Sequence, residues 1–175
     1  ATLFITLLAV LNTFLYRYSG QTDICVGTPV AGRQQQETEG LIGFFVNTLA
    51  LRTIVHEAEK FTQLLQQIKI TTLDAYEHQD VPFEKVVEAV VKNRDPSRSP
   101  LFQVMLVLLN TPQPARLGLG EIILSHEMFE NKISKFDITF HVFQSPDGLP
   151  ISIEYNTDLF GEDTIIRMAG HFVQL

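Results

Sequence analysis

The chain has 175 residues, of which 45% are hydrophobic and 19% charged, and its 13 Lys and Arg against 20 Asp and Glu give a formal net charge of −7. This composition excludes a disordered, collagen-like or coiled-coil protein, and the acidic balance without a basic cluster argues against nucleic-acid binding. Cys25 is the only cysteine, which excludes an internal disulfide and a cysteine-rich zinc site and allows a reduced, cytosolic setting.

Both ends of the chain carry apolar helical patterns. Residues 1–18 are apolar on nearly every side, which predicts a buried helix that closes at Gly20. Polar residues interrupt this stretch, which is too short for a membrane span, and no basic region of a signal peptide precedes it. Another helical pattern follows Gly161 and runs to the last residues. We therefore expect both ends to be cut and the chain to be a piece of a longer polypeptide.

The first half of the chain predicts two strands and then two helices. Residues Asp23–Val30 form the first strand, residues 32–40 a polar loop, and the mostly apolar residues 41–51 the second strand. Apolar residues spaced three and four apart predict a helix over about residues 57–76. Pro82 opens the next helix, and the expected buried stripe of that helix is Phe83, Val86, Val87, Val90 and Val91.

The second half of the chain predicts further strands. Residues 94–100 form a turn-rich linker, and the apolar run 101–109 is typical of a strand buried on both faces. A Pro- and Gly-rich loop at 111–120 leads to a weaker strand at 121–129. Alternating residues between 136 and 155, with a turn signal at Asp147 and Gly148, predict a hairpin. The order of elements predicts an α/β fold with a mixed sheet covered by helices.

Two familiar catalytic patterns are incomplete in this sequence. The glycine spacing at 27–32 is that of a phosphate-binding loop, but Arg33 and Gln34 replace the Lys and Ser/Thr that such a loop requires. His56 and Glu57 begin like a zinc-protease motif that lacks its second histidine, so no metal site is predicted. No Gly-x-Ser-x-Gly segment is present either, which leaves a hydrolase serine unsupported.

Four polar residues within predicted strands are candidates for substrate contact. Asn47 lies in an apolar run, where an amide must find partners or cost about 1–3 kcal/mol. It is either a structural bridge or a group that faces a channel, and the sequence leaves both open. Asp137, Thr139 and His141 share one face of a strand, which would bind a substrate if that face lines a cleft. The alternative is the solvent-facing side of an edge strand.

Two charged segments are expected to have structural roles. Arg94, Asp95 and Arg98 lie in the proline-rich linker, where we expect a local network of ion pairs. A phosphate-facing surface is the alternative. Asp80 lies shortly before the helix that Pro82 opens, and we expect its carboxylate to accept hydrogen bonds from free N–H groups there.

Three motifs follow one another at residues 42–48 (IGFFVNT), 78–84 (HQDVPFE) and 94–101 (RDPSRSPL). Together they resemble the condensation domain of nonribosomal peptide synthetases, and the likeness covers the whole chain. The catalytic His-His-x-x-x-Asp-Gly motif of such domains is absent from this sequence. The resemblance therefore implies the C-terminal lobe, without the N-terminal lobe, of a fold like chloramphenicol acetyltransferase. Motif residues that we assign to structure are Gly43, Arg52, His78, Gln79, Asp80, Pro82, Arg94, Asp95 and Arg98.

The resemblance implies amide formation in the biosynthesis of antibiotics and other secondary metabolites. The α-amine of a downstream aminoacyl thioester would attack an upstream acyl or peptidyl thioester. Both substrates would hang on the 4′-phosphopantetheine arms of peptidyl carrier proteins, with an adenylation domain adjacent and no cofactor bound by the chain itself. The resemblance also implies that the chain holds no catalytic residue and is inactive alone. The alternatives are a lobe of an epimerization domain and a non-catalytic scaffold or carrier-docking module.

The same resemblance assigns parts of the chain to a substrate tunnel between the two lobes. Asn47, Asp137, Thr139 and His141 are the residues that we expect near this tunnel. The polar loop 32–40 is the expected crossover segment that forms the tunnel floor.

Overall fold

The computed structural model describes residues 1–33, 35–110, 133–145 and 148–175, together with the backbone at 118–119 and 122–123. Its helices are α1 (Leu3–Ser19), α2 (Gln36–Glu39), α3 (Phe61–Glu77), α4 (Phe83–Val90) and α5 (Glu162–Gln174). Its strands are β1 (Asp23–Val30), β2 (Asn47–Ile54), β3 (Val104–Leu109), β4 (Gly118–Leu119), β5 (Ile122–Ile123), β6 (Ile138–Phe143) and β7 (Ile151–Tyr155). Within these described ranges no helix is both long and apolar enough to cross a membrane.

The main sheet has five strands in the order β2-β1-β3-β6-β7. Its three central strands run parallel to one another, and the two edge strands pair antiparallel with their neighbours. Strand β3 lies in the middle of the sheet but begins at Val104 rather than at residue 101. Met105 and Leu106 are buried, whereas Leu109 at its end is 39% exposed, so the predicted burial holds for part of the strand only. Strands β6 and β7 form the predicted hairpin. The prediction of an α/β fold with a mixed sheet is confirmed.

Local capping sets both ends of α1, and the sequence predicted the one at Gly20 but not the cap at Thr2. The hydroxyl of Thr2 accepts a hydrogen bond from the N–H of Ile5 at 3.3 Å. At the other end Gly20 has a φ of 68°, and its N–H donates to the carbonyl of Tyr16 at 2.8 Å. A left-handed conformation of this kind favours glycine, which explains why the helix stops there.

The main core lies between one face of the sheet and the helices α1, α3 and α5, and this face is called the helix face. Residues in alternate positions of each strand point toward it, including Val26, Leu51, Leu106 and Phe140. Phe14 of α1 contacts Phe140 and Phe172 edge-on, with ring centroids 6.1 and 5.6 Å apart. Each such buried side chain contributes about 1.5–3 kcal/mol to stability.

The predicted strand at 41–51 is wrong in its first half, because β2 begins only at Asn47 and continues to Ile54. Residues 41–46 lie outside the sheet, and the side chains of Ile42 and Phe44 are exposed. An apolar pattern predicts burial, but it does not say which surface provides that burial. The predicted polar loop at 32–40 contains the short helix α2.

Two predicted helices differ from the structure in detail. Helix α3 begins at Phe61 rather than near residue 57. Helix α4 begins after Pro82 as expected, but only Val87 of its predicted stripe is fully buried, and Val90 is 62% exposed. The reason is that α4 is short and packs against an edge strand, so one narrow side of it is covered.

Two predicted segments fall largely outside the described residues. They are the loop at 111–120 and the weaker strand at 121–129, of which the structure describes the antiparallel pair β4 and β5. Asp147 of the predicted turn also lies outside the described residues. Its neighbour Gly148 bridges to Ser145 and has a φ of 144°.

Candidate functional site

The sheet face opposite to the helix face carries the predicted polar residues of β6. Ile138, Phe140 and Val142 point into the main core, so Thr139 and His141 point the other way. Thr139 is 3% exposed, and His141 is half-buried. Asp137 lies just before β6, where its N–H donates to the carbonyl of Gln103 at 3.0 Å. Thr139 and His141 therefore share one face, as the alternating pattern predicted.

The hairpin register adds two residues that the sequence analysis did not select. His141 lies directly opposite Ser152, and Thr139 lies opposite Glu154. Opposed residues in antiparallel strands have Cβ atoms about 5 Å apart, so the four side chains are neighbours. The alternation within β7 already indicated a polar side for Ser152 and Glu154, but only the register shows which residues face each other. We call Thr139, His141, Ser152 and Glu154 the polar row.

Asn47 bridges two segments that are distant in the sequence. Its side-chain N–H groups donate to the carbonyls of Gln79 and Val81, at 2.7 and 2.8 Å. Its side-chain oxygen accepts from the N–H of Phe83 at 3.1 Å. Of the two alternatives that the sequence left open, the bridge is the one that these contacts describe. Asn47 thus provides the acceptor for the N–H of Phe83, and the capping role expected of Asp80 stays a prediction.

His78 and Gln79, at the start of the segment that Asn47 bridges, make further hydrogen bonds. The side chain of Gln79 donates to the carbonyl of Tyr76 at 2.8 Å. The ring nitrogen Nδ1 of His78 lies 2.8 Å from the carbonyl oxygen of Asp74. These contacts explain His78 and Gln79 as residues that close α3, which agrees with the structural role expected for them.

Three aromatic rings from distant parts of the sequence meet on the face that carries the polar row. Phe102 lies with its ring centroid 5.5 Å from that of Phe83 and 5.3 Å from that of Phe136. Gly27 of β1 lies against Phe102, because a Cβ added there would be 2.2 Å from the ring. We call Phe83, Phe102 and Phe136 the aromatic cluster.

A strained turn aims Phe102 at this position. Leu101 has a φ of 69°, which is uncommon for a residue that has a Cβ. The N–H of Phe102 donates to the carbonyl of Pro100 at 2.9 Å, which closes a three-residue turn around Leu101. The end of the third motif therefore places an aromatic ring over the sheet.

The linker that precedes this turn is fixed by Asp95. Its carboxylate accepts from the N–H and the hydroxyl of Ser97, at 2.9 and 2.6 Å, and lies 4.0 Å from the Nε atom of Arg98. The hydrogen bonds from Ser97 lower the pKa of Asp95, with a smaller contribution from Arg98. The expected ion pair is confirmed for Asp95 and Arg98, whereas Arg94 takes part in no ion pair among the described residues.

The first motif is organised around Phe45. The guanidinium of Arg33 lies 4.3 Å from the centre of the Phe45 ring, and Arg33 also donates to the carbonyl of Thr38. Gly32, with a φ of 60°, leaves room for the Phe45 carbonyl, because an added Cβ would lie 2.0 Å from its oxygen. A Cβ on Gly43 would lie 2.9 Å from the same ring. While Phe45 is held in this way, the neighbouring Phe44 remains 91% exposed.

Arg52 pairs with Asp23 across the edge of the sheet. The guanidinium donates to both carboxylate oxygens, at 2.8 and 2.6 Å, which lowers the pKa of Asp23 and raises that of Arg52. Cys25 lies next to this pair, and burial raises the pKa of its thiol to about 11. Such a thiol is almost entirely protonated at neutral pH, which agrees with the inert cysteine expected from the sequence.

A cavity of about 390 Å³ opens where β1 and β3 end. Its lining includes the side chains of Thr28, Tyr76, Gln79 and Asn110, together with apolar residues, and none of the described lining residues is charged. Burial raises the pKa of the Tyr76 phenol, so it remains a neutral donor. Within the described residues no three His, Cys, Asp or Glu side chains come together as a metal site. The cavity therefore suits a neutral ligand with hydrogen-bonding groups.

The structure resembles domains of nonribosomal peptide synthesis machinery. The X-domain from teicoplanin biosynthesis superposes with a TM-score of 0.87 at 26% identity, over 99% of this chain and 40% of that one. The fold is therefore the chloramphenicol-acetyltransferase-like fold of condensation domains.

The family model described as "Condensation domain" matches residues 1–175, and the chain belongs to this family. A linear gramicidin synthase from Brevibacillus parabrevis is 54% identical over 177 residues, which cover 100% of this chain and 2% of the relative. A surfactin synthase from Bacillus subtilis is 45% identical, over 100% of this chain and 5% of the relative. The chain thus spans a small part of the length of the curated relatives that it matches.

Proposed function

We propose that this chain is the C-terminal lobe of a condensation domain that forms amide bonds in nonribosomal peptide synthesis. The observation that carries the proposal is the family match over the whole chain, with relatives that are peptide synthetases. In the proposed reaction an aminoacyl thioester provides the amine, and an acyl or peptidyl thioester is attacked. Carrier proteins hold both substrates through phosphopantetheine, and an adenylation domain is adjacent. A cytoplasmic location is part of the same proposal.

The chain's contribution in this proposal is alignment rather than acid–base catalysis. The sequence has no His-His pair, so the base that acts on the amine belongs to the other lobe. Holding amine and thioester in a reactive geometry lowers a barrier by up to about 7–11 kcal/mol. The polar row, with Asp137 beside it, provides hydroxyl, imidazole and carboxylate groups for this purpose. Asn47 differs from these residues because its carboxamide already bonds to the main chain.

The cavity where β1 and β3 end is the proposed route for a phosphopantetheine arm. The arm contains amide groups and carries no charge along its pantetheine part. The neutral donors and acceptors of Thr28, Tyr76, Gln79 and Asn110 match such a chain. A charged lining would have required desolvation that a neutral arm could not offset.

The exposed apolar residues at 41–46 support a second lobe as partner. The side chains of Ile42 and Phe44 are exposed to solvent. The next residue, Phe45, contacts Arg33 through its ring and Gly32 through its carbonyl group. An ordered segment that presents large apolar side chains is typical of a surface that another structure covers. The matched X-domain chain is longer than this one, which covers 40% of it. The proposed partner is therefore the preceding lobe of the same domain.

The reaction is tested with the protein that carries this chain and its preceding lobe. Donor and acceptor carrier proteins are loaded with defined thioesters, and the acceptor carrier is analysed by mass spectrometry. Condensation adds the acyl group to the acceptor and frees the donor thiol. Inversion of an α-carbon without a change in mass would indicate an epimerization lobe instead. Binding of carriers without either change would indicate a docking module.

A further inference from the structure

The chain passes from one face of the sheet to the other at the start of β2. Helix α3 lies on the helix face, where Leu64 and Ile68 belong to the main core. Phe83, at the start of α4, contacts Phe102, which covers Gly27 on the opposite face. Residues 78–82 therefore lead the chain around the end of an edge strand, and we call them the crossing.

Main-chain polar groups at the crossing need hydrogen-bond partners from elsewhere in the chain. Helix α4 begins after Pro82, which has no side-chain donor or acceptor and makes no capping hydrogen bond. The first N–H groups of any helix lack partners within the helix. For α4 the missing acceptor at Phe83 comes from Asn47, and the same carboxamide occupies the carbonyls of Gln79 and Val81.

We propose that Asn47 caps α4 from the neighbouring strand and fixes the crossing. Its three hydrogen bonds reach residues 32, 34 and 36 positions away, so they join β2 to the crossing directly. The carboxamide thereby holds Phe83 in the aromatic cluster and Val87 against the sheet. No contact between Asn47 and a substrate is needed for this role.

The position of Asn47 gives this cap a second consequence. It directly follows the exposed apolar residues of 41–46, so that segment and the crossing are anchored through one side chain. A shift of the segment would pull on the cap of α4. The first two sequence motifs thus form one structural unit, although 29 residues lie between Thr48, where the first motif ends, and His78, where the second begins.

Hydrogen exchange of the main-chain amides tests the proposal on the protein that carries this chain. In Asn47→Ala we expect the amides of the crossing and of the first turn of α4 to exchange at least about tenfold faster. Amides of β1 and α1 should keep their rates. Asn93→Ala, which changes an exposed asparagine between α4 and the linker, is the matched control and should leave all of these rates unchanged.

A second substitution separates capping from any other role of Asn47. Adding Pro82→Asp to Asn47→Ala gives α4 a cap on its own chain, since Asp is among the preferred N-cap residues. We expect this double variant to recover most of the protection of α4 while the crossing stays fast. Unchanged exchange in Asn47→Ala, or no recovery of α4 by Pro82→Asp, would overturn the proposal.

Asn47→Asp covers the case in which Asn47→Ala unfolds. The aspartate keeps an acceptor for the N–H of Phe83 and loses the donors to Gln79 and Val81. We expect the crossing to lose more protection than α4 in this variant, and equal loss would contradict the assigned contacts. Because exchange reports the main chain alone, these outcomes do not depend on whether the protein forms amide bonds.

Discussion

Gly27→Ala is expected to destabilise the protein through a single steric conflict. Gly27 lies in the central part of the sheet, and an alanine Cβ would be 2.2–2.6 Å from three atoms of the Phe102 ring. An ordinary contact is near 3.4–4 Å, so the ring would have to move by about 1 Å. Phe83 and Phe136 pack against that ring at centroid distances of 5.5 and 5.3 Å, and they oppose such a shift.

The expected cost is about 2–3 kcal/mol, in the upper part of the range for added atoms in a packed core. For a chain of this size that cost lowers the Tm by about 4–12 °C. Thermal unfolding followed by circular dichroism measures the difference. Gly170→Ala is the matched control, because no atom lies within 4 Å of its added Cβ and its position in α5 favours alanine.

Shortening the ring should relieve the conflict. We expect the double variant Gly27→Ala with Phe102→Leu to be at least about 1 kcal/mol more stable than the sum of the single effects predicts. An unchanged Tm in Gly27→Ala would refute the close packing of Phe102 on β1. Strictly additive effects would refute the assignment of the cost to this pair.

Three further outcomes follow from the pKa shifts. Alkylation of Cys25 at pH 8 should be about 100-fold slower than for a free thiol, because its pKa is about 11, and a rate near that of glutathione would contradict this. Arg52→Gln should lower the Tm at neutral pH, because Arg52 lowers the pKa of Asp23. The difference in Tm from the wild-type protein should vanish as the pH falls through that lowered pKa. The difference should also shrink in 1 M salt. In Ser97→Ala the pKa of Asp95 should rise toward its usual value in an NMR titration, and a constant pKa would show that Ser97 is not the main cause.

Local patterns predicted most of the fold because local chemistry sets those elements. The caps of α1 lie within a few residues of its ends, and the limits of β1 agree with the predicted range Asp23–Val30. The alternation in β6 reports directly which side chains meet the core. The start of β2 was wrong because residues 41–46 are apolar and yet exposed, and hydrophobicity does not name the surface that would cover them.

The candidate site was harder to predict because its contacts are not local. The partners of Asn47 lie more than 30 positions away, so the sequence could show only that its amide needed partners. Ser152 and Glu154 became candidates only through the register of β6 and β7. The motifs were visible in the sequence, but the aromatic cluster, in which Phe83 of the second motif meets Phe102 just after the third, depends on the fold.

The rate of amide formation in Phe44→Asp tests whether a preceding lobe covers residues 41–46 in the active domain. The assay uses the protein with its preceding lobe and two loaded carrier proteins, and Ile166→Asp, at a residue that is 62% exposed on α5, is the control. In the proposed complete domain the preceding lobe covers Phe44, and loss of a phenylalanine contact of this kind costs about 1.5–3 kcal/mol. We therefore expect at least about tenfold slower amide formation in Phe44→Asp and a rate within about twofold of wild type in Ile166→Asp. Equal rates in Phe44→Asp and the wild-type protein, or no amide product from the wild-type protein, would contradict the proposal.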